Sequence, residues 1–245
     1  MARIDLQNVS LRYPLYGETT KSMRVVLAGL VTGKRAENHP IYVEALKDIS
    51  INLSEGSRLG LIGANGAGKS SLLRLMAGIF QPNSGTVRRE GHIVTMFDLS
   101  YGMDEEANGF ENIDIVSVVL GISRFDLDRI KNDVAEFSEL GEALHRPIKT
   151  YSAGMRVRLA FGLLSSMSAE ILLIDEIIGV GDASFMKKAS ARISKQIQEA
   201  KIFVLASHAE SVLRDFCTTG LVMSEGKAVF HGPIEDALKF YNSRG

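Results

Sequence analysis

The chain has 245 residues, 45% of them hydrophobic and 23% charged, a composition of ordinary globular proteins that excludes extended disorder and collagen-like repeats. Lys and Arg (28) nearly balance Asp and Glu (29), and a net charge of -1 argues against a protein whose main task is coating nucleic acid. A single cysteine, Cys217, permits no internal disulfide, and no Cys/His cluster has metal-ligand spacing, so a reducing compartment fits best. The longest charge-free stretch, residues 75–87, has 13 residues, against the roughly 20 that a spanning helix needs. The N-terminus meets Asp5 at once and lacks the apolar core of a secretory signal.

In chain order, Ile4, Leu6, Val9 and Leu11 alternate well enough to predict a strand over 3–13. Residues 14–43 break the pattern with Pro14, Gly17 and Pro40 around a short apolar run, and carry Lys21, Arg24, Lys34 and Arg35. They read as a basic insertion, either a solvated loop or one holding an amphipathic helix near 20–31. Strands are expected at 45–53, 58–62, 87–89 and 93–97, with a helix at 69–80. A helical period then runs from Glu111 to about Leu144, and a further helix is expected over 152–166. Residues 171–174 and 202–206 read as buried strands, 187–199 and 235–241 as helices, and 221–223 with 228–230 as a strand pair around Gly226. Apolar strands alternating with helices imply an α/β core, interrupted by a helical lobe at about 98–165.

Three patterns carry chemistry. Gly63-Ala64-Asn65-Gly66-Ala67-Gly68-Lys69-Ser70 matches G-x-x-x-x-G-K-[ST], after an apolar strand and before a helix. Backbone N–H groups wrapping a phosphate leave no room for Cβ atoms, hence the glycines. Lys69 would reach the β- and γ-phosphates, and Ser70 would ligate Mg²⁺. Ile171–Ile174 is an apolar strand ending in Asp175 and Glu176, at the strand end where α/β sheets place ligands. Asp175 suits a metal and Glu176 the activation of water. Tyr151-Ser152-Ala153-Gly154-Met155 lies between the two, with Ser152 positioned 23 residues before Asp175. By itself this is a Ser/Gly turn that could be a simple N-cap.

In this order and spacing the three motifs resemble those of ATP-binding-cassette (ABC) ATPases, with Ser152 and Gly154 matching the signature L-S-G-G-Q. Asp182 in Gly179–Asp182, and His208 in Ala206-Ser207-His208, resemble the loop and the switch histidine that follow the catalytic glutamate. The resemblance runs from Leu6 to Gly232. It implies a P-loop NTPase core of ABC type, with an antiparallel β subdomain and an inserted α-helical subdomain, in one nucleotide-binding domain spanning 1–245. It further implies ATP and Mg²⁺, with Glu176, His208 and Lys69 as catalytic residues and Ser70, Asp175 and Asp98 near the metal. Nucleotide contacts would come from Tyr13, Gly63, Asn65, Gly66, Ala67, Gly68, Lys69, Ser70 and Ser71, and from Ser152, Gly154 and Asp182 across a head-to-tail homodimer. Asp98 stands where the family has a glutamine. Tyr13 is expected to stack on adenine, with Tyr16, Leu27 or Gly29 as alternatives where the insertion displaces it.

Tyr-Ser-x-Gly-Met, Asp-Glu-Ile-Ile-Gly-Val-Gly-Asp, Phe185-Met186-Lys187-Lys188 and Gly109-Phe110-Glu111-Asn112-Ile113 look like the ATPase subunit of bacterial polysaccharide exporters, which move lipid-linked O-antigen, teichoic acid or capsule. That resemblance implies two integral-membrane permease subunits as partners, a lipid-linked polysaccharide cargo, no nucleic acid, and a peripheral position on the cytoplasmic face of the inner membrane. The helical lobe would receive the permease, and the basic insertion would touch permease or anionic headgroups. The chain reads as a short form without the carbohydrate-binding C-terminal domain of some members. The alternatives are a cassette for another transported cargo and a soluble cassette ATPase outside transport.

Overall fold

The computed structural model describes residues 1–15, 41–97, 102–120, 122–176 and 183–244. Nine strands form two sheets among them. The smaller is antiparallel and three-stranded, in the order β2 (Ile41–Ser54), β1 (Arg3–Leu15), β4 (Ser84–Glu90). The larger is six-stranded, in the order β5 (Ile93–Met96), β6 (Ile171–Asp175), β7 (Ile202–Ala206), β3 (Arg58–Ile62), β8 (Thr219–Ser224), β9 (Lys227–Pro233). All its pairings are parallel except the terminal β8–β9 hairpin.

The central strands are apolar throughout because both their faces are covered. Side chains alternate across a strand, and here the alternation divides them between two cores. Ile171 and Leu173 join Leu59, Leu61, Ile202 and Val204 on the face toward the small sheet. Leu172 and Ile174 join Phe203, Leu205 and Val222 on the opposite face. Helix α1 (Lys69–Met76) lies in the first core through Leu72, Leu73, Leu75 and Met76, between the sheets and against Ile4, Leu6, Leu46 and Ile49. The second core takes α4 (Ala153–Ser165), α5 (Ala183–Glu199), α6 (Glu210–Phe216) and α7 (Ile234–Asn242), together with α2 (Gly109–Val119) and α3 (Arg124–Ser138).

Several elements depart from the sequence-based bounds. β1 and β2 pair as far as Leu15 opposite Ile41, so residues 14, 15 and 41–43 are strand rather than insertion. Residues 16–40, with the expected helix near 20–31, lie outside the described residues. The uneven spacing Leu6, Val9, Leu11 reflects a register shift after Leu6, with Asn8 at φ 48°. Helix α1 stops at Met76 instead of Phe80. Gly78 turns the chain at φ 83°, and Arg89 donates to the terminal carbonyls of Leu75 (2.6 Å) and Met76 (2.9 Å).

The single helical period over 111–144 is two helices and a 3-10 turn (Gly141–His145). The Asn108–Glu111 capping box starts α2, Ser123 caps α3 through Phe125 N–H (3.3 Å), and Glu139 closes α3 at φ 55°. Helix α6 was not expected. Its seven residues bury only Leu213, too little for a periodic signal.

Candidate active site

The parallel order places the C-terminal ends of β3, β7 and β6 side by side, and the three polar segments singled out by sequence leave from them. Their crevice is where an open α/β sheet binds ligands. It forms a cleft of about 320 Å³ bounded by Asn65, Gly66 and Gly68 to Ser71 from the glycine loop, Asp175 and Glu176 after β6, and Ala206 to His208 after β7. Tyr13 from β1 and Val43, Glu44 and Ala45 from β2 close the remaining wall.

The loop is held from behind. Gly68, the residue before α1, has φ 107°, and a Cβ there would lie 2.8 Å from the Ala45 carbonyl oxygen. Both facts demand glycine. With Gly68 in place the first residues of α1 line the cleft, and the N-terminus of a helix is a ready anion site. Lys69 follows, only 8% exposed. Its Nζ donates to the carbonyls of Gly63 (2.6 Å) and Ala64 (3.1 Å), so the ammonium curls back over the loop. Burial pushes its pKa below the usual lysine value, and the nearby carboxylates of Asp175 and Glu176 pull it partly back. A nearly buried cation on the first residue of α1, beside a helix N-terminus, suits a polyanion.

Asp175 is the last residue of β6 and pairs with Ala206 of β7. Glu176 adopts φ 65°, unusual for a residue with a side chain, and its N–H donates to Ala206 O at 2.8 Å. This bend turns the strand end into the cleft beside His208. Ser207 is buried and accepts from Ala209 N–H (3.1 Å), which fixes the turn that presents His208. Tyr13 is half-buried; its hydroxyl donates to Ser71 Oγ (3.2 Å), and its ring meets Phe80 edge-on at 5.4 Å.

Ser152 and Gly154 lie elsewhere, at the N-terminus of α4, and do not line this cleft. Ser152 caps that helix by accepting from Met155 N–H (3.2 Å). The preceding Tyr151 is buried, donates to Ala143 O (2.6 Å), and burial raises its pKa. Asn112, fully buried, knits the turn before α2: it accepts from Asp104 N–H (2.7 Å) and donates to the carbonyls of Asp104, Ala107 and Asn108. Arg156 of α4 reaches Glu105 in the same turn (2.7 Å). The turn at 104–108 and the start of α4 are thus one connected unit.

Residues 46–179, more than half of the chain, match the ABC transporter family. The O-antigen export system ATP-binding protein RfbE of Yersinia enterocolitica is 44% identical over 220 residues, covering 89% of this chain and 92% of that protein. This chain belongs to the ABC transporter family. The teichoic acids export ATP-binding protein TagH of Staphylococcus haemolyticus is 33% identical over 97% of this chain and 87% of its own length. The fold matches the dimeric post-hydrolysis structure of the ATP-binding cassette MJ0796 with ADP and Pi, at TM-score 0.68 and 19% identity, over 94% of this chain and 98% of that one. The chain is the ATPase domain of its family, built on the ABC P-loop fold.

Of the cassette residues expected from sequence, Tyr13, Asn65, Gly66, Gly68, Lys69, Ser70, Ser71, Asp175, Glu176 and His208 meet in the cleft. Gly63 contributes its carbonyl to Lys69, and Ala67 is buried behind the loop. Asp98 and Asp182 lie outside the described residues, as do Tyr16, Leu27 and Gly29. Sequence reasoning missed Val43, Glu44 and Ala45, which it placed partly in the insertion. Their signal is only the pairing of Tyr13 with Val43 across β1 and β2.

Proposed function

We propose that this cassette is the ATP-hydrolysing motor subunit of an exporter of lipid-linked polysaccharide. It works as a head-to-tail homodimer under two permease subunits, on the cytoplasmic face of a bacterial inner membrane. The cargo is inferred from the export-system names of its relatives. Among the described residues no helix is long and apolar enough to cross a membrane, so the membrane path falls to the permease.

ATP lies along the cleft with its phosphates over the loop and its base toward Tyr13. Lys69 and the backbone N–H groups at the start of α1 hold the β- and γ-phosphates. Glu176 takes a proton from a water whose oxygen attacks the γ-phosphorus; the bond to the β-phosphate oxygen breaks and ADP leaves. His208 contacts the γ-phosphate and senses its loss. Ser70 Oγ and Asp175 suit Mg²⁺, which takes one or two carboxylates and otherwise relies on phosphate oxygens and water. When bound, the ion neutralises charge on the β- and γ-oxygens.

Gly154 carries the dimer reading. Its absent Cβ would meet nothing closer than Ser152 Oγ at 4.0 Å, and its φ is not positive, so among the described residues nothing calls for glycine there. Glycine in a helix costs roughly 0.5–1 kcal/mol relative to alanine. A bare backbone at the exposed start of α4 instead suits close approach of a partner's nucleotide. Gly154→Val should therefore leave the thermal midpoint unchanged or raised while abolishing ATP-dependent dimerisation in sizing chromatography. Dimers that still form with ATP would refute the arrangement.

The export reading is tested by affinity capture from membranes of the native host with ATP and Mg²⁺, followed by mass spectrometry. A multi-span permease recovered with glycolipid is the expected result, and ribosomes or DNA-bound partners recovered instead would overturn it.

A further inference from the structure

The β8–β9 hairpin contacts the glycine loop from the side away from the carboxylates. Its turn is Ser224-Glu225-Gly226-Lys227, with Ser224 paired to Lys227. Both central residues have positive φ, 48° at Glu225 and 80° at Gly226, the signature of a type I′ turn. The Gly226 N–H donates to the Ala67 carbonyl (3.0 Å), and its own carbonyl accepts from Lys47 N–H (2.8 Å). A Cβ on Gly226 would lie 2.8 Å from the Ala45 carbonyl oxygen, which is backbone and cannot move aside alone.

The Ala67–Gly68 peptide is trans and planar, as no cis bond occurs among the described residues. In such a peptide the C=O and N–H point in opposite directions. Tethering the Ala67 carbonyl to the hairpin therefore aims the Gly68 N–H away from it, and Gly68 lines the cleft. We infer that Gly226 is a positioning residue for phosphate binding: through Ala67 it sets the peptide plane that directs the Gly68 N–H at the nucleotide. The same turn braces β2 through Lys47 and packs on Ala45, so one glycine ties the phosphate loop to the wall under the base.

The inference rests on the ATPase reading above. Its test compares ATP KM, kcat and thermal midpoint for wild type, Gly226→Ala, Gly226→Asn and Gly56→Ala. Gly56 has φ 91° with open space for a Cβ, so Gly56→Ala imposes the backbone strain alone. Asparagine tolerates positive φ, so Gly226→Asn relieves the strain yet keeps the collision with Ala45. Both Gly226 variants should raise KM for ATP about tenfold, the loss of one backbone donor to a charged group, and Gly56→Ala should leave it unchanged. Wild-type KM in the Gly226 variants, or an equal rise in Gly56→Ala, would overturn the positioning role. Should Gly226→Ala not fold, Gly226→Asn decides. Wild-type protein that binds no ATP would instead sink the ATPase reading itself.

Discussion

Glu176→Gln is expected to lower the rate of phosphate release by about a hundredfold or more while leaving ATP affinity within about twofold of wild type. A positioned general base contributes roughly 10²- to 10⁴-fold, and an amide cannot take the proton of the attacking water. The substitution is nearly isosteric. The φ of 65° and the Glu176 N–H bond to Ala206 O are backbone features, which glutamine preserves. Binding should survive because Lys69 and the α1 N-terminus, which carry the phosphates, are untouched. With the γ-phosphate retained, the contacts that join two subunits persist, so an ATP-locked dimer should accumulate in sizing chromatography. Turnover above a tenth of wild type would remove Glu176 from the role of base.

The parts most legible in sequence were those where local pattern and tertiary environment coincide. Residues 58–62 and 202–206 form strands with the expected bounds, because burial on both faces leaves short apolar runs, 59–62 ended by Gly63 and 202–206 bracketed by Lys201 and Ser207. Lys69 and Asp175 were legible from their motifs beside such strands, whereas His208 was reached only through the family resemblance; all three line the cleft. Departures came where long-range pairing decided the outcome. β2 begins at Ile41, ahead of any apolar alternation, because it pairs with Leu15, and Tyr42 and Val43 there remain largely exposed. That extension brings Val43 to Ala45 into the cleft. The end of α1 was likewise set from outside, by Arg89 on a strand of the other sheet's order. The tether from Gly226 to Ala67 spans a long stretch of sequence through one backbone hydrogen bond, which no composition or period records.

Lys69→Ala should weaken ATP binding by about a hundredfold, since charge-assisted hydrogen bonds to phosphate contribute about 1.5–3 kcal/mol each, and should make turnover undetectable. The cost to the unliganded protein should be small. The ammonium is nearly buried, and deleting it removes a desolvated charge as well as its bonds to Gly63 and Ala64. The pH dependence separates this account from simple loss of structure. Burial holds the Lys69 pKa below the usual lysine value of 10.5, so between the lowered value and 10.5 the unfolded chain binds more protons, and stability rises with pH through that window. Phosphate reverses the preference by favouring the charged amine. ATP affinity of the wild type should therefore fall as pH rises through the lowered lysine pKa, with proton uptake on binding visible as a buffer-dependent enthalpy. The Lys69→Ala protein, with no amine to titrate, should bind weakly but show neither effect. A wild-type affinity that stays flat across that alkaline range would mean that the amine does not face the phosphates.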